Sequence, residues 1–177
     1  FFVSLLFKVG GAPFHVWLPD VYEGVATLIT GFFAVVPKVI IFGVILKINM
    51  ILGEFFLIEF KFIFIISSFL SFFIGTVGAL YQESLKRMLS YSAIGHTGFI
   101  LLVISLGTIE GLISTLFYCV IYSIISINIF ASLLQVQQLQ NRGTLKCVKN
   151  FGYIYKINEL LGLNLIISLF SLGGIPP

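Results

Sequence analysis

The sequence is divided into long runs that hold no charged residue. Residues 62–82, 111–134 and 160–177 carry none at all. Residues 88–109 carry only His96, and residues 24–46 only Lys38. A helix that crosses a bilayer needs about 20 mostly apolar residues, so these runs read as membrane spans. Ten Lys or Arg and seven Asp or Glu among 177 residues are too few to cover a water-facing surface, against about 25% charged residues in an ordinary soluble domain. A soluble globular enzyme is excluded on that ground. Intrinsic disorder requires low hydrophobicity and high net charge, whereas 59% of this chain is hydrophobic. A net charge of +3 spread along the chain makes no phosphate-binding patch, so no nucleic-acid partner is expected.

The expected architecture is all-α, a polytopic membrane protein in one transmembrane domain over residues 1–177. It consists of a broken helix over 1–22, spans at about 24–46, 62–82, 88–109 and 111–134, a polar loop at 135–159, and half of a second broken helix at 160–177. Residues 47–61, with Lys47, Glu54, Glu59 and Lys61, read as a loop. Alternating spans put loops 83–87 and 135–159 on one side, where Lys86, Arg87, Arg142, Lys146, Lys149 and Lys156 outnumber the basic residues opposite. The positive-inside rule places that side in the cytoplasm or matrix. The spacing of Gln135, Gln138, Arg142 and Lys146 suits a surface helix.

Polar residues inside the spans are the candidates for chemistry. Lys38 lies nine residues before Lys47, roughly 13 Å along a helix. An intramembrane charge costs about 2.5–3.5 kcal/mol on insertion scales. Lys38 is either an interfacial amine in a shifted span or a titratable group that faces a hydrated interior. Lys8 precedes Gly10-Gly11-Ala12-Pro13, where the proline must interrupt the helix. The carbonyls freed at a helix C-terminus favour a cation, and irregular backbone at membrane depth needs a protein interior or water beside it. An ordinary interfacial Lys fits Lys8 equally well. His15 and His96 are each either a structural hydrogen-bonding group or a proton carrier near neutral pH. Thr115, Tyr118, Tyr122 and Ser126 form one polar stripe, and Asn164, Ser168 and Ser171 another. Such stripes hold helices together as readily as they hold water. A second break at Gly173–Pro177 matches the first, as in transporters built from repeated units.

Cys119 and Cys147 are distant from each other, with no His beside them, so no metal site is expected. The chain starts at Phe1 rather than Met and has no recognisable signal peptide, which suggests a partial chain or one piece of a split protein. Phe alone supplies 20 residues and Ile is more frequent still. Both have AT-rich codons, a bias that points to an organelle genome.

Three blocks carry a resemblance. Phe7-Lys8 followed by Gly11-Ala12-Pro13-Phe14-His15-Val16-Trp17-Leu18-Pro19-Asp20-Val21-Tyr22-Glu23-Gly24 resembles the signature of the NADH dehydrogenase subunit 2 family, the antiporter-like membrane subunits of respiratory complex I. Leu85 to Phe99 resembles a second block of that family, and Ser171 to Pro177 a third. The related subunit 4 has a Leu-His pair and lacks Asp-Val-Tyr-Glu-Gly. The resemblance covers essentially the whole chain. It implies a core of two inverted five-helix repeats with discontinuous helices, of which this chain covers the end of helix seven, helices eight to eleven and the first half of helix twelve. Lys8 and Lys38 fall on the family's two key lysines in that region. One departure is Val25-Ala26-Thr27-Leu28, where the family reads Ala-Pro-Thr-Pro.

The resemblance implies a proton-translocating, non-redox subunit of NADH:ubiquinone oxidoreductase, and the Phe and Ile bias with the truncated layout places it in the mitochondrial inner membrane. It binds no cofactor of its own. Its expected partners are other membrane-arm subunits, lipids, and a chain that supplies the missing helices with a key Glu and a key Lys. Lys8 would exchange a proton as its partner carboxylate moves, Lys38 would pass it along the hydrated axis, and His15 and His96 would orient water or relay protons. A cation/proton antiporter and a structural subunit with an incomplete channel are the rivals.

Overall fold

The computed structural model describes residues 2–139 and 158–175. Seven helices run through them: α1 (Phe2–Val9), α2 (Trp17–Gly24), α3 (Thr27–Leu52), α4 (Glu54–Leu80), α5 (Leu85–Leu106), α6 (Ile109–Leu139) and α7 (Glu159–Leu172). Helices satisfy every backbone group within the segment, which apolar surroundings demand. Stretches in α3, α4, α5 and α6 are long and apolar enough to cross a membrane. Their outward faces are apolar, with Phe32, Ile40, Phe62, Phe69, Phe73, Phe117 and Ile124 exposed.

The helix ends depart from the charge map in two places. The charged segment 47–61 is not a loop: α3 continues to Leu52, α4 starts at Glu54, and Gly53 alone turns the chain with φ 52°. Left-handed backbone of this kind favours glycine. Gln135 and Gln138 belong to α6, which runs on to Leu139. Arg142, Lys146, Lys149, Lys156 and Cys147 lie outside the described residues, as do Pro176 and Pro177 of the second break. Helix α7 is capped by Asn158, whose side-chain oxygen accepts from the amides of Leu160 (3.1 Å) and Leu161 (3.4 Å), as a helix N-cap does.

α4 and α5 pack through glycines. A Cβ on Gly75 would stand 2.6 Å from the backbone nitrogen of Gly95, and one on Gly98 would meet the Ser68 carbonyl at 3.0 Å. Small residues let two helix backbones approach this closely in a membrane. One end of the bundle is tied by polar contacts: Lys86 Nζ donates to the Val25 carbonyl (2.7 Å), and Thr27 Oγ1 to Gln137 (2.6 Å). Arg87 also pairs there with Asp20 (3.0 Å) and Glu23 (3.3 Å). These contacts place the α2–α3 corner, the start of α5 and the end of α6 at the same end.

The core is two apolar clusters stacked along the helices. One gathers Leu18, Tyr22, Val35, Leu89, Ala93, Ile94, Ile129 and Phe130. The other gathers Leu6, Val9, Ile41, Phe42, Ile45, Phe64, Ile100, Leu101 and Ile104. Three helices, α3, α5 and α6, pass from one cluster to the other over a few residues. On α3 the crossing lies between Val35 and Ile41, on α5 between Ile94 and Ile100, and between α1 and α2 it is the break itself. Lys38 and His96 stand at those crossings.

Candidate functional site

The break between α1 and α2 is fixed by side chains from neighbouring helices. Gly10 has φ 78° and the Ala12–Pro13 peptide is cis. Pro13 lacks an N–H and cannot continue a helical ladder, so the backbone groups around it need other partners. Two serines one turn apart on α4 provide them. Ser71 Oγ accepts from the Ala12 amide (2.9 Å), and Ser67 Oγ donates to the Ala12 carbonyl (2.6 Å). From the far side of the break, Trp17 Nε1 donates to the Phe7 carbonyl (2.9 Å), and its ring stacks on Phe7 with centroids 5.7 Å apart.

Lys38 is buried at 4% exposure, eleven residues into the 26-residue α3. At about 1.5 Å per residue both ends of α3 are more than a lysine's reach away. The amine is therefore solvated by protein within the bundle. Its Nζ donates to the Ala93 carbonyl on α5 (3.0 Å) and lies 5.2 Å from the ring centre of Tyr122 on α6. A cation over an aromatic face gains about 0.5–2 kcal/mol, more when desolvated. Pro37 precedes it inside the helix, so the Phe33 carbonyl loses its usual helical donor.

Lys8 sits in the last turn of α1, where the helix dipole favours a cation. Its side chain is exposed, and it lines with Trp17, Phe33, Pro37 and Lys38 a cleft of about 210 Å³. The structure thus brings the two lysines, 30 residues apart in sequence, to one cleft at the break.

His96 is half-buried on α5 and shares a 2.7 Å hydrogen bond with Tyr118 Oη through Nδ1. Its ring centre is 5.2 Å from that of Tyr122, the ring that also faces Lys38. Lys38 and His96 are therefore joined through α6. His15 is not among the residues that line the lysine cleft. It lies in the turn after the break, and its Nδ1 is buried with no hydrogen-bond partner among the described residues.

The second polar stripe makes a separate contact. Asn164 and Asn128 exchange amide hydrogen bonds of 3.0 Å, and Asn164 Nδ2 also donates to Ser132 Oγ (2.8 Å). This is interhelical adhesion between α6 and α7. Ser168 and Ser171 donate to carbonyls of their own helix. Residue-by-residue reading missed Ser67, Ser71, Pro37 and the hydrogen bond of Trp17. The available signals were two serines four apart in an otherwise apolar run and a proline adjacent to the intramembrane lysine.

Apolar spans, a helix broken at mid-bundle and a buried amine at the level of the break define a polytopic membrane protein of the discontinuous-helix kind. Irregular backbone and charge at that depth occur where a polar path is lined. The chain belongs to the NADH:quinone oxidoreductase/Mrp antiporter transmembrane family, which it matches over residues 1–177. It is 39% identical over 175 residues to NADH-ubiquinone oxidoreductase chain 2 of Marchantia polymorpha, covering 99% of this chain and 35% of that protein. It is 42% identical over 178 residues to NADH-quinone oxidoreductase subunit N of Wolbachia sp. subsp. Brugia malayi (strain TRS), covering 99% and 37%. A chain of respiratory complex I from Thermus thermophilus, solved with bound aureothin, superposes with a TM-score of 0.77 at 31% identity, covering 99% and 37%. The chain spans little more than a third of the length of these relatives.

Proposed function

We propose that this chain is part of the proton-translocating membrane arm of an NADH:ubiquinone oxidoreductase. Lys8 and Lys38 act in it as proton-exchanging groups. The observation that carries the reading is the shared cleft: Lys8 and Lys38 open onto one space at a helix break, with Lys38 buried in the middle of a span. Tyr118, Tyr122 and His96 extend the polar layer from Lys38 across α6 to α5. The chain transfers no electrons itself. Electron transfer elsewhere in the complex drives proton movement here, and His96 relays protons or orders water beside Lys38. His15 orders water at the turn after the break. The partners are other membrane-arm subunits, including a chain that supplies the remaining helices, and the membrane is the mitochondrial inner membrane.

The test is NADH-driven proton pumping by the assembled complex with Lys8→Met or Lys38→Met. Reduced pumping and reduced coupled quinone reduction, with assembly intact, support the reading. Pumping at the wild-type rate in Lys38→Met overturns it and leaves a structural role. Cation/proton exchange that proceeds without NADH identifies an antiporter instead.

A further inference from the structure

Helices α3 and α6 leave a groove between them, away from the lysine cleft. It holds about 310 Å³ and follows α3 from Thr27 to Val36, roughly 13 Å along the helix. Its floor is closed. Val35 and Phe130 are buried there, and the two helices touch at Gly31, where a Cβ would stand 3.0 Å from Phe130 Cβ. Its rim is bulky: Leu28 and Phe32 on α3 and Ile127 on α6 are each more than half exposed. Thr27 is the one polar side chain in the lining, and its hydroxyl is engaged by Gln137 at 2.6 Å. The groove therefore lacks the two to four polar partners that hold a water.

An empty slot of this kind forfeits the dispersion contacts of its lining, so an apolar occupant is required. A further helix and a lipid chain are the two available in a membrane. Transmembrane helices pack closely where small residues let their backbones approach. Here Leu28, Phe32 and Ile127 hold a helix backbone away from the floor, whereas a single acyl chain is thin enough to pass between them. The direction also suits a lipid. The groove runs inwards from the first residue of α3, as an acyl chain runs inwards from the bilayer surface.

The outer end carries a matching charge. Lys86 Nζ lies 2.7 Å from the carbonyl of Val25, two residues before Thr27. The carboxylates of that corner, Asp20 and Glu23, are engaged by Arg87. Lys86 thus sets an ammonium at the depth of a lipid phosphate, and basic side chains near the membrane surface attract anionic lipid. We propose that the groove binds one acyl chain of an anionic phosphoglyceride whose phosphate lies beside Lys86. This site is separate from the two lysines of the cleft and does not rest on the proton-exchange reading.

The test uses the assembled complex in nanodiscs of phosphatidylcholine that contain a phosphatidylglycerol with a photoreactive diazirine in its acyl chain. Illumination should label peptides covering residues 27–36 and 127–134. Excess unlabelled phosphatidylglycerol should suppress this labelling, and excess phosphatidylcholine should not. Ala131 lines the groove with an exposed side chain, so Ala131→Phe should fill it and abolish the labelling. Lys86→Gln keeps a donor for the Val25 carbonyl and removes the charge. It should lower the labelling about fivefold, the effect of one basic side chain on an anionic lipid. No labelling in the wild type shows that a helix of another chain fills the groove and overturns the proposal. Equal suppression by both lipids reduces the contact to ordinary boundary lipid and also overturns it, as does wild-type labelling in Ala131→Phe. If Ala131→Phe does not assemble, the lipid competition and Lys86→Gln decide between the same outcomes.

Discussion

Replacing Ser71 with alanine removes the acceptor of the Ala12 amide. That amide is 2.9 Å from Ser71 Oγ, and the contact is buried. The pyrrolidine of Pro13 bars the regular helix that would otherwise continue, and Ala12 itself is fully enclosed at 0% exposure, so water does not easily replace the lost oxygen. A buried donor left unpaired costs about 1–3 kcal/mol. At about 1.4 kcal/mol per factor of ten, the break should open about 5- to 150-fold more often. Hydrogen exchange of peptides covering residues 10–16, followed by mass spectrometry in the assembled complex, reads this opening directly. Ser67→Ala, which leaves a carbonyl with a second lone pair to satisfy, should accelerate exchange less than Ser71→Ala. If Ser71→Ala exchanges within a factor of about two of wild type, α4 does not hold the break and the account of its geometry is wrong.

Two further outcomes follow from the packing. Gly75→Ala places a methyl 2.6 Å from the Gly95 nitrogen, where ordinary contact begins at 3.4 Å; α4 and α5 must separate. Overpacking of this sort costs about 1–3 kcal/mol, seen as a lower thermal-inactivation midpoint of the complex, and an unchanged midpoint contradicts the close packing. The Arg87 pairs with Asp20 and Glu23 have side chains 38%, 67% and 46% exposed. Arg87→Gln should therefore cost less than about 1 kcal/mol. The difference from wild type should vanish at about 1 M salt, where the Debye length is about 3 Å, and a larger or salt-independent loss in the same midpoint assay would show that the pairs are structural.

What the sequence reveals here differs between levels for physical reasons. A charge in a bilayer is costly enough to be rare, so each charge-free run announces a helix and each intramembrane exception, Lys38 above all, announces a special environment. Helix ends are less legible. Lys47 and Glu54 look like loop residues, yet α3 and α4 carry them on helices because a single glycine at 53 suffices for the turn. Helix breaks are visible as Gly and Pro, but what stabilises them is not. Ser67 and Ser71 are small, neutral and embedded in apolar sequence, and only the approach of α4 to Ala12 gives them a role. Tyr122 was visible as one member of a stripe. That its ring faces both Lys38 and His96 depends on the meeting of three helices, which no local pattern encodes. His15 lies in the turn after the break and is not among the residues that line the cleft of Lys8 and Lys38, a separation that nearness in sequence does not show.

The central claim is that the buried amine of Lys38, with Lys8 across the cleft, exchanges protons. The most direct measurement is the number of protons moved per NADH oxidised by the assembled complex reconstituted in vesicles, compared between wild type, Lys8→Met and Lys38→Met. Methionine fills a similar apolar volume and removes only the ionisable group. The account predicts that both variants assemble and pump markedly less than wild type. Wild-type rates and wild-type stoichiometry in Lys38→Met would contradict it.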